Sequence, residues 1–187
     1  MKALKNKLNI SKDVNKFTAT VQKETEFTHF EDQVPKRIGW NYMGDTVYLP
    51  KTKEGFKYLL VITDLANRSF DVEPMKDVKD EDALSAYKRM LRRNFIKIPE
   101  YQLATDLGNE FKGSFNEFLE KHNIYHKVAR GGRHKQQAPV ENLIKTISGL
   151  LFGYMNEKEK ETGKVYREWT DKIHVVRTDL NKIRKNC

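Results

Sequence analysis

Three acidic residues stand in places where a soluble chain has little structural use for them. Asp45 lies in GWNYMGDTVYL, among aromatic and β-branched neighbours. Asp106 follows the apolar run of LATDLGNEF, and Glu141 comes just after Pro139, at the start of an apolar-striped segment. Carboxylates are hard oxygen donors, and a gathered set of them suits Mg²⁺ or Mn²⁺. Two such ions about 4 Å apart can activate a nucleophile and neutralise charge in an in-line displacement at phosphorus. The chemistry open to this set is phosphodiester cleavage or transfer, provided the fold brings the three acids together. Each also has a plain reading. Asp45 could face water from an edge strand, Asp106 could close a D-L-G-N turn, and Glu141 could simply favour a helix N-terminus. Asp64, ending a strand in VITDLANRS, reads as a structural turn residue. Glu110 lies past the turn and is left out of the set.

The elements that must position these acids are legible in the pattern. Gly39–Leu49, Phe56–Thr63 and Arg68–Met75 are rich in strand-forming residues and joined by short links, as in an antiparallel meander. A helix is expected from about Asp80, its N-cap, to Asn94, with Ala83, Leu84, Tyr87, Met90 and Leu91 on one face. Tyr101–Thr105 reads as a fourth strand. Ser114 and Glu117 have capping-box spacing and open a short helix through His122, and Ile124–Val128 is a fifth strand. After the glycine-containing loop ARGGRHKQQA, Pro139 suits the first turn of a long helix. A last helix is expected from near Val165, burying Trp169, Ile173, Val176, Leu180 and Ile183. Strands four and five alternate with helices, as in parallel βαβ units. The expected architecture is α/β: a five-stranded mixed sheet, three antiparallel strands then two parallel, flanked by helices, in the order of a ribonuclease H-like domain.

The chain has 187 residues and a formal charge of +9, a balance that favours a polyanionic partner. Between Glu120 and Glu141 there is no acid, while Arg130, Arg133 and Lys135 crowd the loop before Glu141. A phosphate-tracking surface is the functional reading of that run, and a solvated loop the plain one. His122, His126 and His134 lack zinc spacing and read as surface or loop residues. The single cysteine, Cys187, rules out a disulfide framework within this sequence. No run approaches the roughly 18 apolar residues of a membrane span, and MKALKNKLNISKDVNK lacks a signal-peptide core. Residues 1–36 are polar and lysine-rich and read as a basic arm or linker with one short helix; residues 37–187 read as the core.

Three segments resemble the retroviral and retrotransposon integrases and their relatives, closest in flavour to those of Polinton or Maverick elements, virophages and gypsy-type retrotransposons. GWNYMGDTVYLPKTKEGFKYLLVITDLANRSFDVEPM looks like the opening three strands with the first catalytic aspartate at Asp45. LATDLGNEF resembles the segment of the second aspartate, Asp106, and QQAPVENLIKTI the segment of the glutamate, Glu141. The resemblance implies a DDE integrase core in which these acids hold two Mg²⁺ or Mn²⁺ ions. It also implies that Gln137 and Lys145 contact DNA, that the substrate is double-stranded element and target DNA, and that the core works as a homodimer or larger assembly. The Trp169–Ile183 stripe is a candidate for such contact. The implied place of action is a eukaryotic nucleus, or a virion or cytoplasmic factory before integration. The family's zinc module and C-terminal DNA-binding module are not visible: residues 1–36 contain His29 and no cysteine. A nuclease of the same fold that only hydrolyses stays open, as does a degenerate integrase kept for DNA binding, although the intact acidic trio argues against the latter.

Overall fold

The computed structural model describes residues 2–9, 37–128 and 138–185. A short helix α1 (Lys2–Lys7) precedes β1 (Asn41–Tyr48), β2 (Tyr58–Asp64) and β3 (Phe70–Met75). Then come α2 (Asp80–Arg93), β4 (Gln102–Thr105), α3 (Gly113–Lys121), β5 (Tyr125–Val128), α4 (Ala138–Thr162) and α5 (Ile173–Lys185). The strands form one sheet in the order β3-β2-β1-β4-β5. β1 pairs antiparallel with β2, and β2 with β3, whereas β1–β4 and β4–β5 are parallel. This is the mixed sheet expected from the strand pattern.

Both faces of the sheet are covered, so β2 reads as the near-continuous apolar run YLLVIT. Side chains alternate across a strand. Met43, Leu59, Val61 and Ala104 therefore enter one core with Val140, Leu143 and Ile147 of α4 and Val176 and Leu180 of α5. Tyr42, Leu60, Ile62 and Leu103 enter the other, with Ala83, Tyr87 and Met90 of α2 and Phe115 and Leu119 of α3. Leu4 of α1 and Leu8 just after it are buried in the first of these cores, and Lys7 pairs with Asp179 of α5 at 2.6 Å.

Three expectations need correction. The last helix begins at Ile173, after a 3₁₀ turn at Thr170–Lys172, and not near Val165. Side chains hold the preceding segment out of helix: Trp169 Nε1 donates to the Pro50 carbonyl at 2.7 Å, the Tyr166 N–H to Glu159 Oε1 at 2.9 Å, and Glu168 Oε1 accepts from the Lys53 N–H at 3.0 Å. The Trp169–Ile183 stripe is not a dimer surface, because Trp169, Ile173, Val176 and Leu180 are buried within this chain's own core. Neither expected cap forms. The residue before α2 is Lys79 and that before α3 is Lys112, and neither makes a side-chain cap bond. Asp80 reaches across to α3 instead and accepts the Ser114 N–H at 2.7 Å.

The β3 edge is tied to α2 and α5. Asp71, fully buried, receives a two-pronged hydrogen bond from Arg93 at 3.1 Å on each arm. Arg177 Nε stands 2.8 Å from its Oδ1, a charge contact without hydrogen-bond alignment. Asn181 of α5 accepts from the Phe70 N–H at 2.9 Å and donates to the Phe70 carbonyl at 2.8 Å.

Candidate active site

The β1–β4 ladder ends at the pair Met43–Ala104. Asp45 and Asp106 each stand two residues further on, so they share the face that Met43 and Ala104 present to α4. Asp45 lies within β1 past its last pair with β4, and Asp106 follows the carboxyl end of β4, where open α/β sheets place ligands. β1 is the central strand, and Asp45 is half-buried and pairs with Val61 of β2, so it is not an edge-strand residue facing water. Val140, Leu143 and Ile147 anchor α4 over the same face, and Glu141, next to Val140, lies exposed in its first turn.

Backbone groups orient the two aspartates. The Thr46 N–H donates to Asp45 Oδ1 at 2.7 Å, and the Gly108 N–H to Asp106 Oδ1 at 3.0 Å. Each carboxylate keeps its second oxygen free of hydrogen bonds among the described residues. The Asp45 carboxyl is pushed up to about 6. Burial is the main cause, the Thr46 N–H opposes it, and the negative charges of Asp106, Glu110 and Glu141 push it further. Three other carboxylates thus lie within electrostatic reach of Asp45, all of them oxygen donors suited to a hard divalent cation. Among the described residues, no three His, Cys, Asp or Glu side chains close tightly enough to hold an ion between them. The acids are gathered without being drawn into a coordination shell.

Lys145 is exposed one helical turn beyond Glu141, on the same side of α4. Arg130, Arg133, Lys135 and Gln137 lie outside the described residues. Asp64 is structural: it is 1% exposed and accepts from the Gly39 N–H at 2.7 Å and the Ala66 N–H at 2.8 Å. Glu110, left out of the acidic set in the sequence, lies in the 3₁₀ turn after Asp106, and a β-carbon on Gly108 would collide with its carboxylate. Gly108 has an unexceptional φ of −53°, so it is there for space and not for backbone conformation. His126, expected at the surface, flanks the Asp106 segment. Its ring nitrogens lie 2.8 Å from Thr105 Oγ1 and 2.7 Å from Asn116 Oδ1, and Thr105 Oγ1 donates to the Asp106 carbonyl at 2.9 Å. Burial lowers the His126 pKa, against the nearby charge of Glu120.

The family model described as integrase core domain matches residues 35–134, more than half of the chain. The match includes Asp45, Asp106 and Glu110 and ends before Glu141. Among solved structures, a chain of the simian T-cell lymphotropic virus intasome in complex with PP2A regulatory subunit B56 gamma, seen by cryo-electron microscopy, has a similar fold. The TM-score is 0.57 at 18% sequence identity, over 66% of this chain and 43% of that one. This chain therefore spans less than half the length of that relative. No curated protein matches it in sequence.

Proposed function

The chain belongs to the integrase core domain family, and from that premise we propose that it is a DNA integrase. In this reading it cuts element DNA near a 3′ end and joins the freed 3′-hydroxyl to a phosphodiester of target DNA. The reading is supported by Asp45 and Asp106 sharing one face where β1 and β4 end their pairing, with Glu141 of α4 within electrostatic reach of Asp45. These three acids would hold two Mg²⁺ or Mn²⁺ ions. When bound, the ions supply charge neutralisation at phosphorus and a more acidic water or 3′-hydroxyl.

The chain's own residues supply orientation. The Thr46 and Gly108 N–H groups fix one oxygen of each aspartate and leave the other for a ligand. Glu141 comes from a helix whose apolar side is locked into the core, so its place on α4 is set by Val140 and Leu143. Lys145, on the same exposed side, would bind a DNA phosphate, and the +9 charge would draw the duplex to the surface. Both steps are direct displacements, with no covalent protein–DNA intermediate. A homodimer or larger assembly would present two element ends to one target.

The test supplies a pre-cut DNA end and target duplex with Mn²⁺. Joined products are expected from the wild type and none from Asp106→Asn or Glu141→Gln, both with unchanged circular dichroism. Cleavage without joining would identify a nuclease of the same fold that only hydrolyses. Activity that survives both substitutions would refute the acidic site.

A further inference from the structure

The sheet face that carries Asp45 and Asp106 is not closed over its whole width. Register sets which side chains share it. Asn41, Gln102 and Tyr125 stand in one row across β1, β4 and β5, and Met43, Ala104 and Lys127 stand in the next. Residues in such a row point to the same side of the sheet. Met43 and Ala104 are buried beneath α4, but no β5 side chain enters that core. Tyr125 is 57% exposed, and Lys127 is exposed as well. From the strand rise and spacing, the Lys127 Cα lies roughly 8 Å from that of Asp106. The other side of β5 is finished: Ile124 is buried with α2 and α3, and His126 bonds to Asn116 of α3 at 2.7 Å. The opening is therefore confined to the face that bears the acids.

The two exposed side chains differ from ordinary surface residues. The Tyr125 ring leans on Tyr101 at 6.2 Å between centroids. Tyr101 stacks on Trp40 at 5.4 Å, and the Arg37 guanidinium caps Trp40 at 4.5 Å. A ring braced from behind has little rotamer freedom left to lose on binding. The Lys127 ammonium has no ion-pair or hydrogen-bond partner among the described residues. No acid lies between Glu120 and Glu141 in the sequence to neutralise it. A free cation beside a braced aromatic ring fits a strand that alternates phosphates and flat bases. A duplex keeps its bases paired and stacked, so only an unpaired stretch can offer one to Tyr125.

We propose that the open face of β5 binds a short unpaired stretch of DNA strand beside the cut end, with Lys127 on a phosphate and Tyr125 stacked on a base. The proposal rests on the integrase reading above. Cutting one strand near its 3′ end leaves the facing strand unpaired at its 5′ end, so the reaction itself makes the ligand. β5 holds that tail aside while the 3′-hydroxyl is joined.

The experiment follows fluorescence anisotropy of two labelled probes with the full chain: a blunt duplex, and the same duplex with a short unpaired 5′ extension. The wild type should bind the extended probe about tenfold more tightly, the effect of one stacked base. Tyr125→Ala should lose that preference, and Tyr125→Phe, which keeps the ring, should retain it. Lys127→Gln should lower the slope of log Kd against log salt by about 0.7 on the extended probe. Lys182→Gln, on α5 beside β3 at the far end of the sheet, should leave the preference intact. If Tyr125→Ala does not fold, the exposed Lys127→Gln carries the test through the salt slope. If the wild type joins a pre-cut end but binds both probes equally, or if Tyr125→Ala and Lys127→Gln behave as the wild type, the β5 site is refuted and the integrase reading stands. If the two variants weaken both probes alike, β5 holds duplex backbone and the proposal is overturned. If the wild type binds neither probe and joins nothing, the integrase reading fails and the proposal with it.

Discussion

Replacing Asp45 by Asn should make the metal-free protein more stable at neutral pH. The Asp45 carboxyl is pushed from 3.8 to about 6, chiefly by burial and then by the charges of Asp106, Glu110 and Glu141. The folded state holds this proton more tightly than the unfolded chain does. The group's contribution to stability is therefore fully present below about pH 4 and is lost as pH rises through about 6. A shift of about two pKa units corresponds to a ceiling of about 3 kcal/mol, and partial solvent contact reduces this to about 1–2 kcal/mol. Asn is isosteric and its Oδ1 can still accept the Thr46 N–H, so the gain is not offset by a lost hydrogen bond. Urea unfolding in EDTA should show the two proteins alike near pH 4, with Asp45→Asn ahead by about 1–2 kcal/mol at pH 8. Added Mn²⁺ should reverse the order at pH 8, since only a protein that binds the ion gains stability from it. A variant less stable than the wild type at pH 8 in EDTA would refute the reasoning, because Asp45 would then be a supported structural acid.

Asp64→Ala should destabilise by about 2 kcal/mol, since two backbone N–H groups lose their acceptor; strand transfer per folded molecule should stay at the wild-type level. Arg93→Met should cost about 3 kcal/mol in chemical denaturation by stranding the buried Asp71. Arg177→Met, which removes a charge contact without an aligned hydrogen bond, should cost clearly less, and equal losses would show that the two arginines share the load. Gly108→Ala should slow joining of a pre-cut end by about a hundredfold, because the new methyl group displaces Glu110 and crowds Asp106. Wild-type rates in that variant would mean that the turn yields without cost.

What the sequence made legible was whatever depends on short-range pattern. The β-branched and aromatic run around Asp45 marked a strand, and the apolar stripe of Val140, Leu143 and Ile147 marked the helix that carries Glu141. Asp106 was readable because it ends an apolar strand and begins a glycine turn. The errors share a physical origin in contacts between residues far apart in the chain. Trp169 continues the apolar spacing of α5, yet its indole is held by the carbonyl of Pro50, so the helix starts after it. Ser114 and Glu117 have capping-box spacing, but the cap on α3 comes from Asp80. The histidine at 126 has no motif, and only the pairing of β4 with β5 brings it beside Thr105.

The clamp of Asn181 on Phe70 gives the sheet a direction of growth. At that point of the β3 edge both the N–H and the carbonyl are taken by one side-chain amide, and Arg184 occupies the Arg68 carbonyl at 3.0 Å. A further strand arriving there would have to displace α5 before it could pair. At the other end β5 offers an edge with no partner strand among the described residues, with Tyr125 57% and Val128 38% exposed. Exposed edges of this kind are templates for strand addition. The sheet therefore has a sealed end and an extendable one, and a peptide or second chain that joined it by backbone pairing would lie against β5.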